Sequence, residues 1–155
     1  MKQVLVIGGG GREHAIVYAL SRSPQVGKIY CAPGNAGIAA LAECVALKDT
    51  DVEGLLAFAK EHRIDLTVVG PEAALAAGVV DTFRAEGLPI FGHTKAATQI
   101  ESSKEFAKQI MTRYGIPTAG YRSFSDYEEA RAYVAQGTFP VVLKYDGLAA
   151  GKGVV

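Results

Sequence analysis

The chain has 155 residues, of which 49% are hydrophobic and 21% are charged, so it can bury a core and is not disordered by composition. Sixteen basic residues balance sixteen acidic ones, and this zero net charge gives no general attraction to nucleic acid or to an anionic membrane. Any phosphate binding is therefore expected to be local.

The first hundred residues alternate predicted strands with predicted helices. Apolar and β-branched runs predict strands at residues 4–7, 28–31, 44–47, 65–69 and 89–92. Amphipathic patterns predict helices at residues 13–22, 50–62 and 75–86, the second of them opened by a Thr50-x-x-Glu53 capping box. This order predicts an α/β fold with a parallel, Rossmann-like sheet and right-handed crossovers.

The pattern changes between His93 and Glu101, which predicts a domain boundary near residue 100. We expect one domain at residues 1–100 and the start of a second at residues 101–155. In the second part, capping-box patterns at Ser102-x-x-Glu105 and Ser125-x-x-Glu128 predict two helices that run to about residues 114 and 136. A short strand is predicted at residues 121–124 and a buried strand at residues 141–143.

A lysine-rich and glycine-rich segment follows the last predicted strand. Lys144 ends that strand, and Lys152 lies among the three glycines Gly147, Gly151 and Gly153. Glycines let backbone N–H groups approach an anion closely, and lysines add positive charge. The segment lacks the hydroxyl residue of a GxxxxGK[ST] loop, since Val154 stands at that place. The pattern favours a phosphate-binding loop, and the alternative is a hairpin with flexible glycines.

The first predicted strand leads into a glycine turn, residues 8–11, at the start of a helix. Such a turn can bind an anion at the helix N-terminus. A dinucleotide fingerprint needs GxGxxG, and Glu13 occupies its third position. The acidic residue expected after the second strand is also missing, because Ala32 and Pro33 stand there. These two departures argue against an NAD-binding oxidoreductase.

Polar residues follow three of the predicted parallel strands. Arg12 lies beside the glycine turn, Asn35 follows the second strand, and Gly70, Pro71 and Glu72 follow the fourth. Ligands of open α/β sheets bind beyond the carboxyl ends of the strands, so these groups are expected to face one crevice and to suit a phosphorylated sugar. Each also has an ordinary explanation, as a turn residue or an exposed residue at a helix start.

Lys104 begins a predicted helix, where a cation is disfavoured by roughly 0.3–1 kcal/mol. A nearby anionic ligand would reverse this preference.

Together these motifs closely resemble the phosphoribosylamine–glycine ligase family, which consists of ATP-grasp enzymes of purine biosynthesis. The resemblance runs along the whole chain in order, through segments 10–14, 32–37, 69–73, 78–81, 103–104, 116–118 and 146–153. It implies a substrate-binding (pre-ATP-grasp) domain up to about residue 100, followed by the start of an ATP-grasp domain. Where the family usually has alanine, this chain has Tyr145.

The resemblance also implies an activity and the residues that serve it. The family joins glycine to phosphoribosylamine with cleavage of ATP and uses Mg²⁺ or Mn²⁺. The implied ATP-binding residues are Lys104, Lys144, Gly147, Gly151, Lys152 and Gly153. The implied phosphoribosylamine-binding residues are Gly10, Gly11, Arg12, Glu13, Asn35, Gly70, Pro71 and Glu72.

Known members of the family are longer than this chain. No catalytic residue is identified within residues 1–155, and the carboxylates that bind the metal are expected after Val155. The chain alone is therefore expected to lack ligase activity, and the alternative function is a noncatalytic sugar-phosphate-binding or nucleotide-binding module. Its oligomeric state is left open.

The cysteines and the apolar runs bear on where the protein works. Cys31 and Cys44 are too few and too isolated for a disulfide framework or a zinc site, which favours the reducing cytoplasm. No apolar run approaches the roughly 20 residues of a membrane span, and the N-terminus lacks a signal-peptide cleavage region. We therefore expect a soluble cytoplasmic protein without a membrane or nucleic-acid partner.

Overall fold

The computed structural model of the chain describes residues 1–149 and 152–155, which form two units, Met1–Thr98 and Gln99–Val155. The strands of the first unit are β1 (Lys2–Gly8), β2 (Val26–Pro33), β3 (Glu43–Cys44), β4 (Leu66–Val69) and β5 (Ile90–Phe91). The helices of the chain are α1 (Gly11–Ser21), α2 (Val52–Glu61), α3 (Glu72–Ala77), α4 (Val79–Ala85), α5 (Lys95–Ser102), α6 (Lys104–Arg113) and α7 (Tyr127–Ala135), with a 3-10 turn at Ile38–Ala40.

The five strands form one parallel sheet in the order β3-β2-β1-β4-β5. This confirms the predicted α/β fold with a parallel sheet. The strand order reverses beside β1, because the chain first builds outward to β2 and β3 and then returns to β4 on the other side. Such a reversal opens a crevice at the carboxyl ends of the strands, where α/β proteins bind ligands.

Strand β1 is buried on both faces of the sheet. Leu5 and Ile7 join a core cluster with α2, α3 and α4, whereas Val4 and Val6 join a cluster on the α1 side. All four side chains are 0–1% exposed, and each contributes about 1.5–3 kcal/mol of transfer free energy when buried. A continuously apolar strand is required here because both faces of the sheet are covered.

Three predicted elements of the first unit differ in the structure, and one of them, the strand predicted at residues 89–92, is only the two-residue β5. The helix predicted at residues 75–86 is two helices, α3 and α4, separated by Gly78 with φ +94°. The break follows from that left-handed conformation, which glycine adopts without a Cβ penalty. The strand predicted at residues 44–47 is only the two-residue β3, paired with Tyr30 and Cys31 of β2.

All three predicted capping boxes are wrong by one residue. The observed N-caps are Asp51, Ser103 and Asp126, and each side chain accepts a hydrogen bond from the backbone N–H three residues later. The predicted caps were their neighbours, Thr50, Ser102 and Ser125. In each case two adjacent residues can act as the N-cap, and the structure uses the second. The expected glutamate then lies at the second helical position instead of the third, where a capping box needs it.

Two strands predicted in the second unit are wrong. Residues 121–124 form no strand. Residues 141–143 form no buried strand either, because Val142 is 64% exposed and Leu143 is 51% exposed. The Leu143 backbone pairs with Val155, but in the described part of the chain no element covers these two side chains. An apolar run stays exposed when no second layer packs on it.

No helix among the described residues combines the length and the apolar character that crossing a membrane requires.

Candidate functional site

The site begins at the carboxyl end of β1, where a tight glycine turn leads into α1. Gly8 has φ +121° and Gly10 is the N-cap of α1. The space beside the next residue, Gly11, is unoccupied, since a Cβ placed there would meet no atom within 4 Å. The turn therefore presents bare backbone toward the crevice, which suits close approach of a ligand.

Glu13 lies beneath this turn rather than on its surface. The residue is only 4% exposed, and its carboxylate accepts a hydrogen bond of 2.6 Å from the Gly10 N–H. Its side chain fills the space where a Cβ at Gly8 or Gly70 would lie. The third position of the dinucleotide fingerprint is thus occupied by an acid that supports the turn, and Gly70 is required because Glu13 lies against it.

Arg12 connects the β1 turn to the loop after β4. Its Nη1 donates to the carbonyl oxygen of Gly70 at 2.6 Å and to a carboxylate oxygen of Glu72 at 3.0 Å. Hydrogen bonding from the backbone N–H of Glu72 itself, aided by Arg12, outweighs partial burial and lowers the pKa of the Glu72 carboxyl group. Glu72 is therefore an anion at neutral pH, and Pro71 precedes it as the N-cap of α3.

Asn35 connects the same turn to the loop after β2. Its Nδ2 donates to the Gly9 carbonyl at 2.8 Å, while its Oδ1 accepts from the Ile38 N–H at 2.9 Å. The two loops also meet through their backbones, since the Gly34 N–H donates to the Gly8 carbonyl at 3.2 Å. Asn35 holds this loop in place and leaves part of its own surface exposed.

The structure thus brings together all eight residues that were predicted at the strand ends. Hydrogen bonds or close backbone approach link the loops after β1, β2 and β4. The exposed or partly exposed members are Gly10, Gly11, Arg12, Asn35, Pro71 and Glu72, while Glu13 and Gly70 are buried. One guanidinium, one carboxylate and one amide therefore line an edge with free glycine backbone, a set suited to a small polar ligand that bears hydroxyl and anionic groups.

In the second unit, the two ends of the glycine segment (residues 144–153) pair with each other. Lys144 forms an antiparallel bridge with Val154, and the Tyr145 N–H donates to the Gly153 carbonyl at 2.8 Å. Gly147 has φ +127°, a conformation that favours glycine. The described ends of the segment therefore pair in the antiparallel way that the hairpin alternative requires. The predicted residue Gly151 lies outside the described residues.

The three lysines that were predicted to bind ATP differ in their surroundings. Lys144 and Lys152 are exposed. Lys104 is half-buried, and its Nζ donates to the Gly147 carbonyl at 2.8 Å.

Asp146 is a residue of this region that the sequence analysis missed. Its carboxylate accepts from the backbone N–H of Lys104 at 2.5 Å, from that of Glu105 at 3.2 Å and from the Ser103 hydroxyl at 3.1 Å. The anion that would favour a lysine at this helix start is therefore supplied by the chain itself. No signal local to the sequence reveals this, because Asp146 lies 42 positions after Lys104 at the start of α6.

Among residues 1–149 and 152–155, no group of three or more His, Cys, Asp or Glu side chains is arranged to hold a metal ion.

Comparison with known proteins assigns both parts of the chain. The family described as "Phosphoribosylglycinamide synthetase, N domain" matches residues 2–101, and "Phosphoribosylglycinamide synthetase, ATP-grasp (A) domain" matches residues 102–155. Proteins named phosphoribosylamine–glycine ligase are 57% identical in Caldanaerobacter subterraneus subsp. tengcongensis and 56% identical in Yersinia pestis. Each alignment covers 98% of this chain and 36% of the relative, so the chain spans about a third of the relatives' length.

Solved structures agree with these matches. The crystal structure of phosphoribosylamine–glycine ligase from Thermotoga maritima has a TM-score of 0.75 at 32% identity, covering 99% of this chain and 35% of that one. The biotin carboxylase domain of a Hydrogenobacter thermophilus 2-oxoglutarate carboxylase has a TM-score of 0.78 at 19% identity, covering 99% and 37%, and it shares the fold alone. By its N-domain match over residues 2–101 and the ATP-grasp match that follows, the chain belongs to the phosphoribosylglycinamide synthetase family.

Proposed function

We propose that this chain forms the phosphoribosylamine-binding domain and the beginning of the ATP-grasp domain of an ATP-dependent carbon–nitrogen ligase. The enzyme joins glycine to 5-phosphoribosylamine and gives glycinamide ribonucleotide, ADP and phosphate, a step of purine biosynthesis. The observation that carries this proposal is the similarity to phosphoribosylamine–glycine ligases along 98% of the chain. The predicted domains, residues 1–100 and 101–155, take the two roles in that order.

The phosphoribosylamine pocket is the edge of the sheet at the ends of β1, β2 and β4. The Glu72 carboxylate accepts hydrogen bonds from the ribose hydroxyls or from the amine, and Arg12 and the free backbone at Gly11 suit the phosphate group. The paired contacts of Arg12 with Gly70 and Glu72 support this assignment because they fix both side chains in one geometry. Glu13 does not line the pocket but supports its glycine turn, because its carboxylate accepts a hydrogen bond from the Gly10 N–H.

The ATP phosphates bind at the glycine segment, through Lys104, Lys144 and Lys152 and the backbone at Gly147, Gly151 and Gly153. The exposure of Lys144 and Lys152 supports this role, since both ammonium groups are open to a ligand. Lys104 adds a third positive charge beside this segment, because its Nζ is held at the Gly147 carbonyl. Lysine side chains, rather than a Walker loop, supply the charge.

The reaction proceeds in two displacements. A glycine carboxylate oxygen attacks the γ-phosphorus of ATP, which forms an acyl phosphate and releases ADP. The phosphoribosylamine nitrogen then attacks the acyl carbon, phosphate leaves with the electron pair of the C–O bond, and the nitrogen loses a proton to give the amide. Binding the amine and the ATP phosphates in fixed positions lowers the barrier by proximity and by charge neutralisation.

A divalent cation, Mg²⁺ or Mn²⁺, accompanies ATP and neutralises phosphate charge when bound. We assign it no ligand in the described residues. We place the protein in the cytoplasm, with phosphoribosylamine, glycine and ATP as its substrates and with no nucleic-acid or membrane partner.

The test is a ligase chimera in which residues 1–155 of this chain replace the matching third of the Caldanaerobacter relative. The product, glycinamide ribonucleotide, is quantified by mass spectrometry with ATP, glycine and freshly generated phosphoribosylamine. The unmodified relative is the positive control, and a mixture without glycine is the negative control. The 155-residue chain is assayed beside them.

We expect the chimera to form product at a rate within about tenfold of the relative, and the chain alone to form none. A folded chimera without activity would contradict the proposed function. Binding of sugar phosphate by the chain, combined with an inactive chimera, would instead indicate a noncatalytic binding module.

A further inference from the structure

The start of helix α6 is closed by the chain itself. The Asp146 carboxylate accepts the backbone N–H groups of Lys104 and Glu105, and the Ser103 hydroxyl accepts that of Phe106 at 3.1 Å. The next N–H, that of Ala107, donates to the Ser103 carbonyl. Every backbone donor of the first helical turn therefore has a partner within the chain.

This arrangement changes where a phosphate can bind. A helix N-terminus attracts phosphate when its N–H groups are free, but those of α6 are already taken by Asp146 and Ser103. ATP phosphates near this helix must therefore be held by side-chain cations and loop backbone. Asp146 therefore connects the glycine segment to the start of α6 and makes no contact with the nucleotide.

All the hydrogen bonds of this connection are donated by the start of α6 and accepted by the glycine segment. The Asp146 carboxylate accepts three of them, and the Gly147 carbonyl accepts the fourth from Lys104 Nζ. We call this four-bond junction the α6 clasp. It lies two residues beyond Lys144, at the base of the hairpin that Lys144 closes with Val154.

Charge favours the clasp. Burial raises the pKa of the Asp146 carboxyl group, but hydrogen bonds from Glu105, Ser103 and Lys104 and the charge of Lys104 outweigh it, so the net shift is downward. The carboxylate is thus ionised at neutral pH. A carboxylate beside a phosphate-binding segment would repel ATP if it were free, and these donors offset its charge.

We propose that Asp146 is a positioning residue that fixes the glycine segment against the start of α6 and so determines where the Lys144 and Lys152 ammonium groups meet the ATP phosphates. This inference rests on the proposed function for its ATP part, whereas the clasp itself is a property of the chain. Asp146 acts through the segment it anchors and does not touch the nucleotide.

The test compares Asp146→Ala and Asp146→Asn in the 155-residue chain by amide hydrogen exchange, with and without MgATP. Asp126→Asn is the matched control, because Asp126 also caps a helix of the second unit, accepting from the Glu129 N–H at 2.9 Å, but contacts no glycine segment. Circular dichroism verifies that each variant keeps its helix content. Asparagine retains an oxygen acceptor and should rescue part of the loss.

We expect Asp146→Ala to speed exchange at Glu105, Tyr145 and Val155 at least tenfold, and Asp146→Asn to speed it less. The dissociation constant for MgATP, or the ATP KM of the ligase chimera, should rise at least tenfold for Asp146→Ala with kcat changed less. Asp126→Asn should speed exchange only in α7.

Unchanged exchange in the glycine segment of Asp146→Ala would overturn the inference, whatever the activity. Faster exchange with unchanged ATP affinity and KM would overturn the positioning role. If the unmodified chain bound no MgATP and the ligase chimera were inactive, the proposed function and this inference would both be overturned.

Discussion

The Nη1 atom of Arg12 lies 3.0 Å from a carboxylate oxygen of Glu72 and 2.6 Å from the carbonyl oxygen of Gly70. The two side chains are 60% and 31% exposed, and an ion pair this open contributes only about 0–1 kcal/mol to stability. Its consequence is geometric: the end of β1 and the end of β4 present their charged groups in one fixed arrangement.

The first prediction concerns Glu72. Replacing it with glutamine should raise the phosphoribosylamine KM of the ligase chimera about tenfold, because a charge-assisted hydrogen bond is worth about 1.5–3 kcal/mol. The ATP KM should change less than twofold. Glu86→Gln is the matched control, since Glu86 pairs with Lys60 at 2.7 Å elsewhere on the first unit. An equal rise in both constants would show that Glu72 only begins α3.

The second prediction concerns pH and Asp65. Its carboxylate accepts from the Gln3 backbone N–H at 2.7 Å and pairs with Lys2 at 2.9 Å, and these contacts, the backbone one first, lower its pKa. A lowered folded-state pKa stabilises the fold above the unfolded pKa of about 3.9, and the gain is lost as the pH falls through the folded value. Thermal unfolding should therefore separate the parent from Asp65→Asn at pH 7 and progressively less below about pH 4. A gap that stays constant down to full protonation would point to packing instead.

The third prediction concerns the two thiols. Burial raises the pKa of Cys31 to about 12, and its side chain is fully buried, whereas Cys44 is exposed. Because the thiolate is the reactive form, iodoacetamide at pH 8 should label Cys44 and leave Cys31 unmodified, as read by peptide mass spectrometry. Cys44→Ser should take up no label until guanidinium unfolds it. Equal labelling of both cysteines in the native chain would be inconsistent with this core.

The fourth prediction concerns the break between α3 and α4. Gly78→Ala should lower the free energy of unfolding by about 1–2 kcal/mol, because φ +94° penalises a Cβ. The space itself is adequate, since the new atom would lie 3.6 Å from Lys95 Cδ. Gly11→Ala is the control of opposite sign: Gly11 begins α1 in open space, so alanine there should stabilise the helix by up to about 1 kcal/mol. Urea denaturation measures both.

Strands buried on both faces could be predicted well from the sequence. The run at residues 4–7 is apolar at every position because helices cover both sides of β1. Helix starts were less predictable. Adjacent capping residues such as Thr50 and Asp51 differ little in local preference, so the local pattern does not decide which of the two is the N-cap.

The site could be predicted in part. Parallel strands end at one edge, so the grouping of Arg12, Asn35 and Glu72 follows from topology. The burial of Glu13 does not, since it depends on the close approach of Gly70, 57 positions along the chain. The anchoring of Asp146 at α6 is equally invisible in the local sequence, because it is a contact between distant segments.

The most direct test of the account is a titration of the ¹⁵N-labelled chain with glycinamide ribonucleotide, followed by amide NMR. The strand-end pocket predicts shift changes concentrated at Gly9 to Gly11, Asn35 and Glu72, and their loss in Glu72→Ala but not in Glu86→Gln. Saturable binding with shifts confined to these loops is the expected result. Shifts centred elsewhere, or no saturable binding to the folded chain, would contradict the claim that this edge of the sheet holds the phosphoribosyl substrate.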